Sequence, residues 1–288
     1  FQLFKMEECQ EQVFNTILSK NNITLQQADS AKEGQIINDC LFLLQKQYPP
    51  KTFRGRADFK TVIAPKLLQV SYALFHEAKN LEVIFMPEVI EINCGKMLFN
   101  TTTGHEMFIG GFTKTNTREI YLPNVLVIGK CAFSNCPIEQ LNLPKVTSIG
   151  DYGFQASKIA QVDLPALLSV GEVAFQCCHI SSLHLPNLQT IGNGAFSNCS
   201  VRDTHLPNLR CLNRYGFFGC EKLEHFSTEK LQKLGKNCFS YCWQLKTFGC
   251  SIEPVCGFMK CKRGKIALFA MASSISVKLV VNTTSLKL

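Results

Sequence analysis

Three residues combine reactive side chains with a fixed interval: Asp163, His184 and His205 stand 21 residues apart, each directly before a Leu-Pro pair. A carboxylate and two imidazoles brought together could coordinate a divalent metal, or change charge as pH crosses the histidine range near about 6.5. Cysteine supplies a second candidate chemistry in the near pairs Cys131 and Cys136, Cys238 and Cys242, and Cys256 and Cys261. Zinc sites usually show two pairs at a tight spacing such as C-x2-C, and none of these pairs has it. Cys250, Cys256 and Cys261, outside the periodic region, are the better candidates for redox or metal work. The sequence has no G-x-S-x-G elbow, no H-E-x-x-H pair and no Walker loop, the patterns that hold a nucleophile, a catalytic zinc or a phosphate. The expectation is a non-enzymatic protein with no metal and no cofactor.

A repeat positions the Asp and His residues. LPNLQTIGNGAFSNC at 185–199 is echoed by LPKVTSIGDYGFQAS at 143–157 and LPNVLVIGKCAFSNC at 122–136. Pro123, Pro144, Pro165, Pro186 and Pro207 are 21 apart, as are Phe133, Phe154, Phe175, Phe196 and Phe217, and Phe239 follows after 22. Pro65, Phe75 and Pro87 keep the phase upstream, and an insertion at about 100–117 interrupts it, for about eight turns in all. A unit this short cannot bury its apolar face alone; stacking the units does, which predicts a solenoid.

Each position has a physical role. QLNL, QVDL and SLHL alternate apolar with polar residues, the period of a strand with one buried face. The following Pro lacks an N–H and ends the strand. Gly129, Gly150, Gly171, Gly192 and Gly235 are expected to supply a positive φ. The Phe fills the interior, and Cys136, Cys178, Cys199, Cys220 and Cys242, three residues later, take a small buried corner that Ser157 occupies once. Strands in a sheet lie about 4.8 Å apart, so Asp163, His184 and His205 are expected in one file. The expected binding face comprises Tyr121, Gln140, Asn142, Gln161, Asp163, Ser182, His184, Asp203 and His205, with Glu119, His225 and Ser227 beside them. A wet polar face that recognises a protein is the leading reading, with metal coordination as its rival.

The phrase LPxLxxIGxxAFxxCxxLxxLxL resembles the BspA-like (Treponema pallidum-type) subclass of leucine-rich repeats, over roughly residues 62–250. The resemblance implies an α/β, β-dominated leucine-rich-repeat solenoid with a ladder of short parallel strands that binds other macromolecules. The type occurs in bacterial and protist surface proteins, so it implies as an alternative a cell-surface adhesin or antigen that binds a host or matrix component. A substrate adaptor of a larger enzyme complex is the third reading. Relative to the family register, the 21-residue turns drop one residue between the Cys and the strand.

Composition narrows the rest. Hydrophobic residues make up 46% of the 288, ample for a large core. The net charge of +8 is concentrated at 228–265, where eight Lys or Arg face only Glu229 and Glu253, so the repeats show no basic stripe and nucleic acid is not expected as a partner. No apolar run reaches the roughly 18 residues of a membrane-spanning helix. An odd total of fifteen cysteines, five of them at one repeat position, argues for thiols and a reducing compartment, while a chain without an initiator Met leaves a trimmed leader and a surface location open. Leu3, Phe4, Val13, Phe14, Ile17 and Leu18 recur at helical spacing, and a second helical segment is expected from about Leu25 to Gln47. The expected organisation is a helical cap over 1–60, the solenoid over 61–250 and a C-terminal cap or tail over 251–288, in a monomer.

Overall fold

The computed structural model describes residues 8–93, 95–100, 105–250 and 277–280. They fall into two compact units, Phe1–Leu143 and Pro144–Leu288.

Unit 1 opens with helix α1, Glu8–Lys20, which buries Phe14, Ile17 and Leu18 on one face and carries Glu8 and Glu11 in its first turn, where the helix dipole favours them. Asn22 at φ 54° ends it, and the Ile23 N–H returns to the Leu18 carbonyl at 2.9 Å, closing the left-handed cap. Thr24 and Gln27 form a reciprocal capping box for α2, which spans only Leu25–Asp29. The helix expected through Gln47 is therefore corrected. Ile36–Ile37 and Cys40–Phe42 are strands, joined through Asn38 and Asp39 at φ 46° and 64°. Two positive φ values in a two-residue loop make a tight hairpin, and β-branched Ile36 and Ile37 favour it over helix.

Cys40–Phe42 is also the first rung of a parallel ladder in unit 1. Leu41 is in register with Val62, Val62 with Ile84 and Ile84 with Ile120, along Thr61–Ile63, Val83–Phe85 and Glu119–Tyr121. Unit 2 continues the motif in two sheets. One pairs Gln161–Asp163 with Ser182–His184; the other joins Asp203–His205, His225–Ser227 and Thr247–Cys250, and Val277–Val280 closes it antiparallel. Nine strands thus occupy rung positions among the described residues, the additional one being Cys40–Phe42. The opposite wall is a second ladder of two-residue strands, with Val70, Ile92 and Ile128 in register in unit 1 and Ile149, Val170, Ile191, Leu212 and Leu234 in unit 2. A Leu-Pro pair ends the rungs Glu119–Tyr121, Gln161–Asp163, Ser182–His184 and Asp203–His205, and the Pro carbonyl is not wasted: Asn187 Nδ2 donates to Pro165 O and Asn208 Nδ2 to Pro186 O, both at 2.8 Å.

Between the walls runs the predicted ring file. In unit 1 Phe53, Phe75, Phe112 and Phe133 stack at 5.3, 5.2 and 4.9 Å. In unit 2 Phe154, Phe175, Phe196 and Phe217 stack at 5.5, 5.4 and 5.4 Å, and Phe239, after its 22-residue step, at 6.0 Å. Phe112 lies inside the segment expected to be irregular. Its turn is regular, and the insertion itself is the antiparallel hairpin Lys96–Asn100 with His105–Ile109.

The glycine reading is corrected. Positive φ falls two residues after the repeat glycine, at Cys131, Tyr152, Val173, Gly194 and Asn237, and at Tyr215 two residues after Asn213, which holds the glycine's place. The repeat glycine is needed because turns touch there: a Cβ on Gly192 would sit 2.5 Å from the Gly171 carbonyl carbon, and one on Gly235 2.4 Å from Arg214 N. The cysteine corner is as expected and gains a partner. Cys178, Cys199 and Cys220 are buried thiols whose Sγ donates to Phe154, Phe175 and Phe196 O at 3.2, 3.3 and 3.1 Å. Ser157, with a shorter C–O bond at the same corner, leaves its buried hydroxyl without a partner among the described residues.

Candidate functional site

Successive strand residues face opposite sides, so each rung divides its three side chains between interior and outward face. In unit 2 the outward set is polar and exposed: Gln161 and Asp163 around buried Val162, Ser182 and His184 around Leu183, Asp203 and His205 around buried Thr204. Parallel register aligns Gln161 with Ser182 and Asp163 with His184, then Asp203 with His225 and His205 with Ser227. Ser182–His184 and Asp203–His205 lie side by side but belong to different sheets. Register pairing therefore joins Asp163 to His184 and His205 to Ser227, while the two rungs between them adjoin without it. His205 Nδ1 shares a hydrogen bond with Ser227 Oγ at 2.8 Å, and His225 Nδ1 one with Thr247 Oγ1 at 2.7 Å, so each imidazole is oriented along the ladder by a hydroxyl of the next rung. Among the described residues no group of three or more His, Cys, Asp or Glu is arranged to hold a metal.

The outward face of unit 1 is different. Phe42, Ile63 and Phe85 hold the positions that Asp163, His184 and His205 hold in unit 2, and they are buried in one cluster with Phe14, Ile17 and Leu18 of α1. The Phe14 and Phe85 rings meet at 5.5 Å, and Tyr121 stacks on Phe85 at 5.2 Å with planes 5° apart. Tyr121, expected to face a ligand, is thus half-buried at the edge of this helix-covered cluster. Gln140 and Asn142 are exposed, on a rung that forms no strand. All three line a cleft of about 800 Å³ between α1 and the ladder.

Sequence reasoning missed the helix over the unit 1 face, although apolar residues at alternate outward positions of three rungs were its signal. It also missed His76, which is fully buried with neither ring nitrogen hydrogen-bonded among the described residues. Burial holds its pKa below the ordinary histidine value, against the pull of Glu77, whose Oε1 is 3.7 Å away.

The cysteine corner is chemically quiet. Burial pushes the Cys178 and Cys220 thiols up to about 12 and Cys136 up to about 11, so none is a thiolate near neutrality. Cys250 is buried in its strand, and Cys256 and Cys261 lie outside the described residues. The described part of the basic segment is partly engaged, with Lys246 paired to Glu224 and Lys230 Nζ donating to Asn208 Oδ1 at 2.7 Å. No helix among the described residues is long and apolar enough to cross a membrane.

The sequence profile of the BspA type leucine-rich repeat region matches residues 105–209 and 168–276, in six copies. No curated protein matches the chain. Among solved structures, a leucine-rich repeat protein from Bacteroides ovatus is 24% identical over 65% of this chain and 46% of its own, with a TM-score of 0.49. A leucine-rich cell surface protein from Faecalibacterium prausnitzii is 18% identical over 68% of this chain and 80% of its own, with a TM-score of 0.28. This chain thus spans about half the length of the first of these.

Proposed function

The chain belongs to the BspA type leucine-rich repeat family, and we propose that within it the protein is a non-enzymatic scaffold that recognises a protein partner through its open strand face. The surface is formed by Gln161, Asp163, Ser182, His184, Asp203 and His205. The observation that carries the reading is that six polar side chains are exposed at fixed intervals on strands whose interior residues are packed. Such a surface is ordered before binding, so little conformational entropy is lost when a partner docks. Polar groups with no packing role are free to set specificity through hydrogen bonds and charge.

The experiment is affinity capture from the source cell with the intact chain as bait, followed by titration of the captured protein. Replacing Asp163, His184 and His205 together by Ala should weaken that binding by about tenfold or more, the equivalent of at least 1.4 kcal/mol. Binding that survives the triple change but disappears when the hairpin Lys96–Ile109 is deleted would move recognition to the insertion.

A further inference from the structure

We propose that unit 1 carries a second, separate site, a saccharide-binding cleft for an uncharged oligosaccharide, between α1 and the outward face of Glu119–Tyr121. The cleft exists for a structural reason. Phe42, Phe85 and Tyr121 form an apolar outward series that α1 covers, but the next rung presents Gln140 and Asn142, which give the helix nothing apolar to pack on. The result is a concavity of about 800 Å³, inside the range of roughly 300–1,000 Å³ typical of small-molecule sites.

Its chemistry selects among ligands. Lys20 pairs with Glu119 at 3.3 Å, and Arg118 and Glu139 carry opposite signs, so the lining has no net charge to recruit an ion. Gln12, Gln140 and Asn142 supply amides that both donate and accept, and their side chains have no hydrogen-bond partner among the described residues. Sugar hydroxyls also donate and accept, and they match such amides without desolvating a charge. The Tyr121 ring, fixed by its stack on Phe85, and Val13, Val83 and Leu141 offer apolar surface for the C–H faces of a sugar ring. A docked protein segment would want a deep apolar pocket for an anchoring side chain. Here the amides of Gln12, Gln140 and Asn142 share the lining with Val13, Val83 and Leu141, which favours the saccharide.

The test is calorimetric titration of the intact chain with short linear oligomers of glucose, galactose, mannose and N-acetylglucosamine. Oligogalacturonate and an oligoglutamate peptide serve as ionic comparators. At least one neutral oligomer should bind with an affinity indifferent to salt, and Gln140→Ala or Asn142→Ala should weaken it about tenfold. Asn142→Phe extends the aromatic series and fills the cleft, so it should abolish binding while the melting temperature holds. Should that variant not fold, Gln12→Ala, an exposed change, takes its place. No binding by any neutral oligomer, binding untouched by these variants, or salt-sensitive binding of the ionic comparators alone would each overturn the assignment.

Discussion

The strand faces of the two units are built on the same backbone and meet opposite environments. In unit 1 the outward positions of three rungs are Cys40 and Phe42, Thr61 and Ile63, and Val83 and Phe85, and α1 lies over them. In unit 2 they are Gln161 and Asp163, Ser182 and His184, and Asp203 and His205, exposed to solvent. The interior file of stacked Phe rings hardly differs, with spacings of 4.9–5.3 Å in one unit and 5.4–6.0 Å in the other. The repeat therefore fixes the architecture from within, and the outward positions alone decide whether a face becomes a core or stays open to solvent.

The largest effect should come from an outward residue of unit 1. Phe85→Ala removes a fully buried ring and should cost about 3–5 kcal/mol, the same as Phe175→Ala in the interior file of unit 2. Denaturant melts of the two variants check this. A loss below about 1 kcal/mol for Phe85→Ala, against a full loss for Phe175→Ala, would show that α1 does not make a core of that face.

The second contrast is in pH. His76 in unit 1 has its pKa lowered, mainly by burial, with Arg54 and Lys114 acting in the same direction and Glu77 against it. A lowered folded-state pKa means stability that is fully present above the ordinary histidine value of 6.5 and is lost as pH falls below it. The Cys178 and Cys220 thiols in unit 2 are raised by burial from 9.0 to about 12, so their contribution is complete below pH 9 and is lost as pH climbs toward 12. Hydrogen exchange followed peptide by peptide should show unit 1 loosening first in acid and the corner of unit 2 in alkali. His76→Leu should remove the acid limb. In native alkylation near neutral pH, exposed Cys177 should react well before its neighbour Cys178.

How much of this was legible follows from what each residue interacts with. Phe and Leu-Pro positions were readable because their constraint recurs every turn, and the profile match and the structure agree with the leucine-rich repeat they implied. Polar strand residues of unit 2 were readable as outward-facing from the two-residue period alone. The role of the repeat glycine was not, because contact between Gly171 and Gly192 joins residues of different turns and leaves no local trace. Tyr121 was readable as outward-facing because its own rung, Glu-Ile-Tyr, alternates like the others; the cluster beside it, built with a helix about a hundred residues earlier in the chain, was not. The hairpin through Asn38 and Asp39 was missed because a short apolar run also suits a helix, and only the turn residues and the β-branched Ile36 and Ile37 discriminate.

A smaller gain should come from the interior of unit 2. Thr204 stands where Val162 stands on an earlier rung, and its hydroxyl is buried without a partner among the described residues. Thr204→Val keeps the shape and removes the stranded group, so thermal melts should show a stabilisation of about 1 kcal/mol. Thr61, on the covered outward face of unit 1, offers no such gain to predict, since Thr61 hydrogen-bonds the Cys40 side chain.

The smallest effect on stability tests the other half of the comparison. His205 occupies in unit 2 the outward place that Phe85 occupies in unit 1, but it is exposed and shares a hydrogen bond with Ser227 at 2.8 Å. An exposed hydrogen bond exchanges readily with water, and substitutions at such sites change stability by no more than about 0.5 kcal/mol. His205→Ala, like Asp163→Ala and His184→Ala, should leave the denaturation midpoint nearly unmoved. The three sites are polar and exposed, so if the outward positions of unit 2 are kept for recognition, the triple change should separate the two properties, weakening partner binding in a protein that melts like the parent. A triple variant that loses several kcal/mol would show instead that these side chains hold the ladder together, and the two faces would then differ in composition but not in purpose.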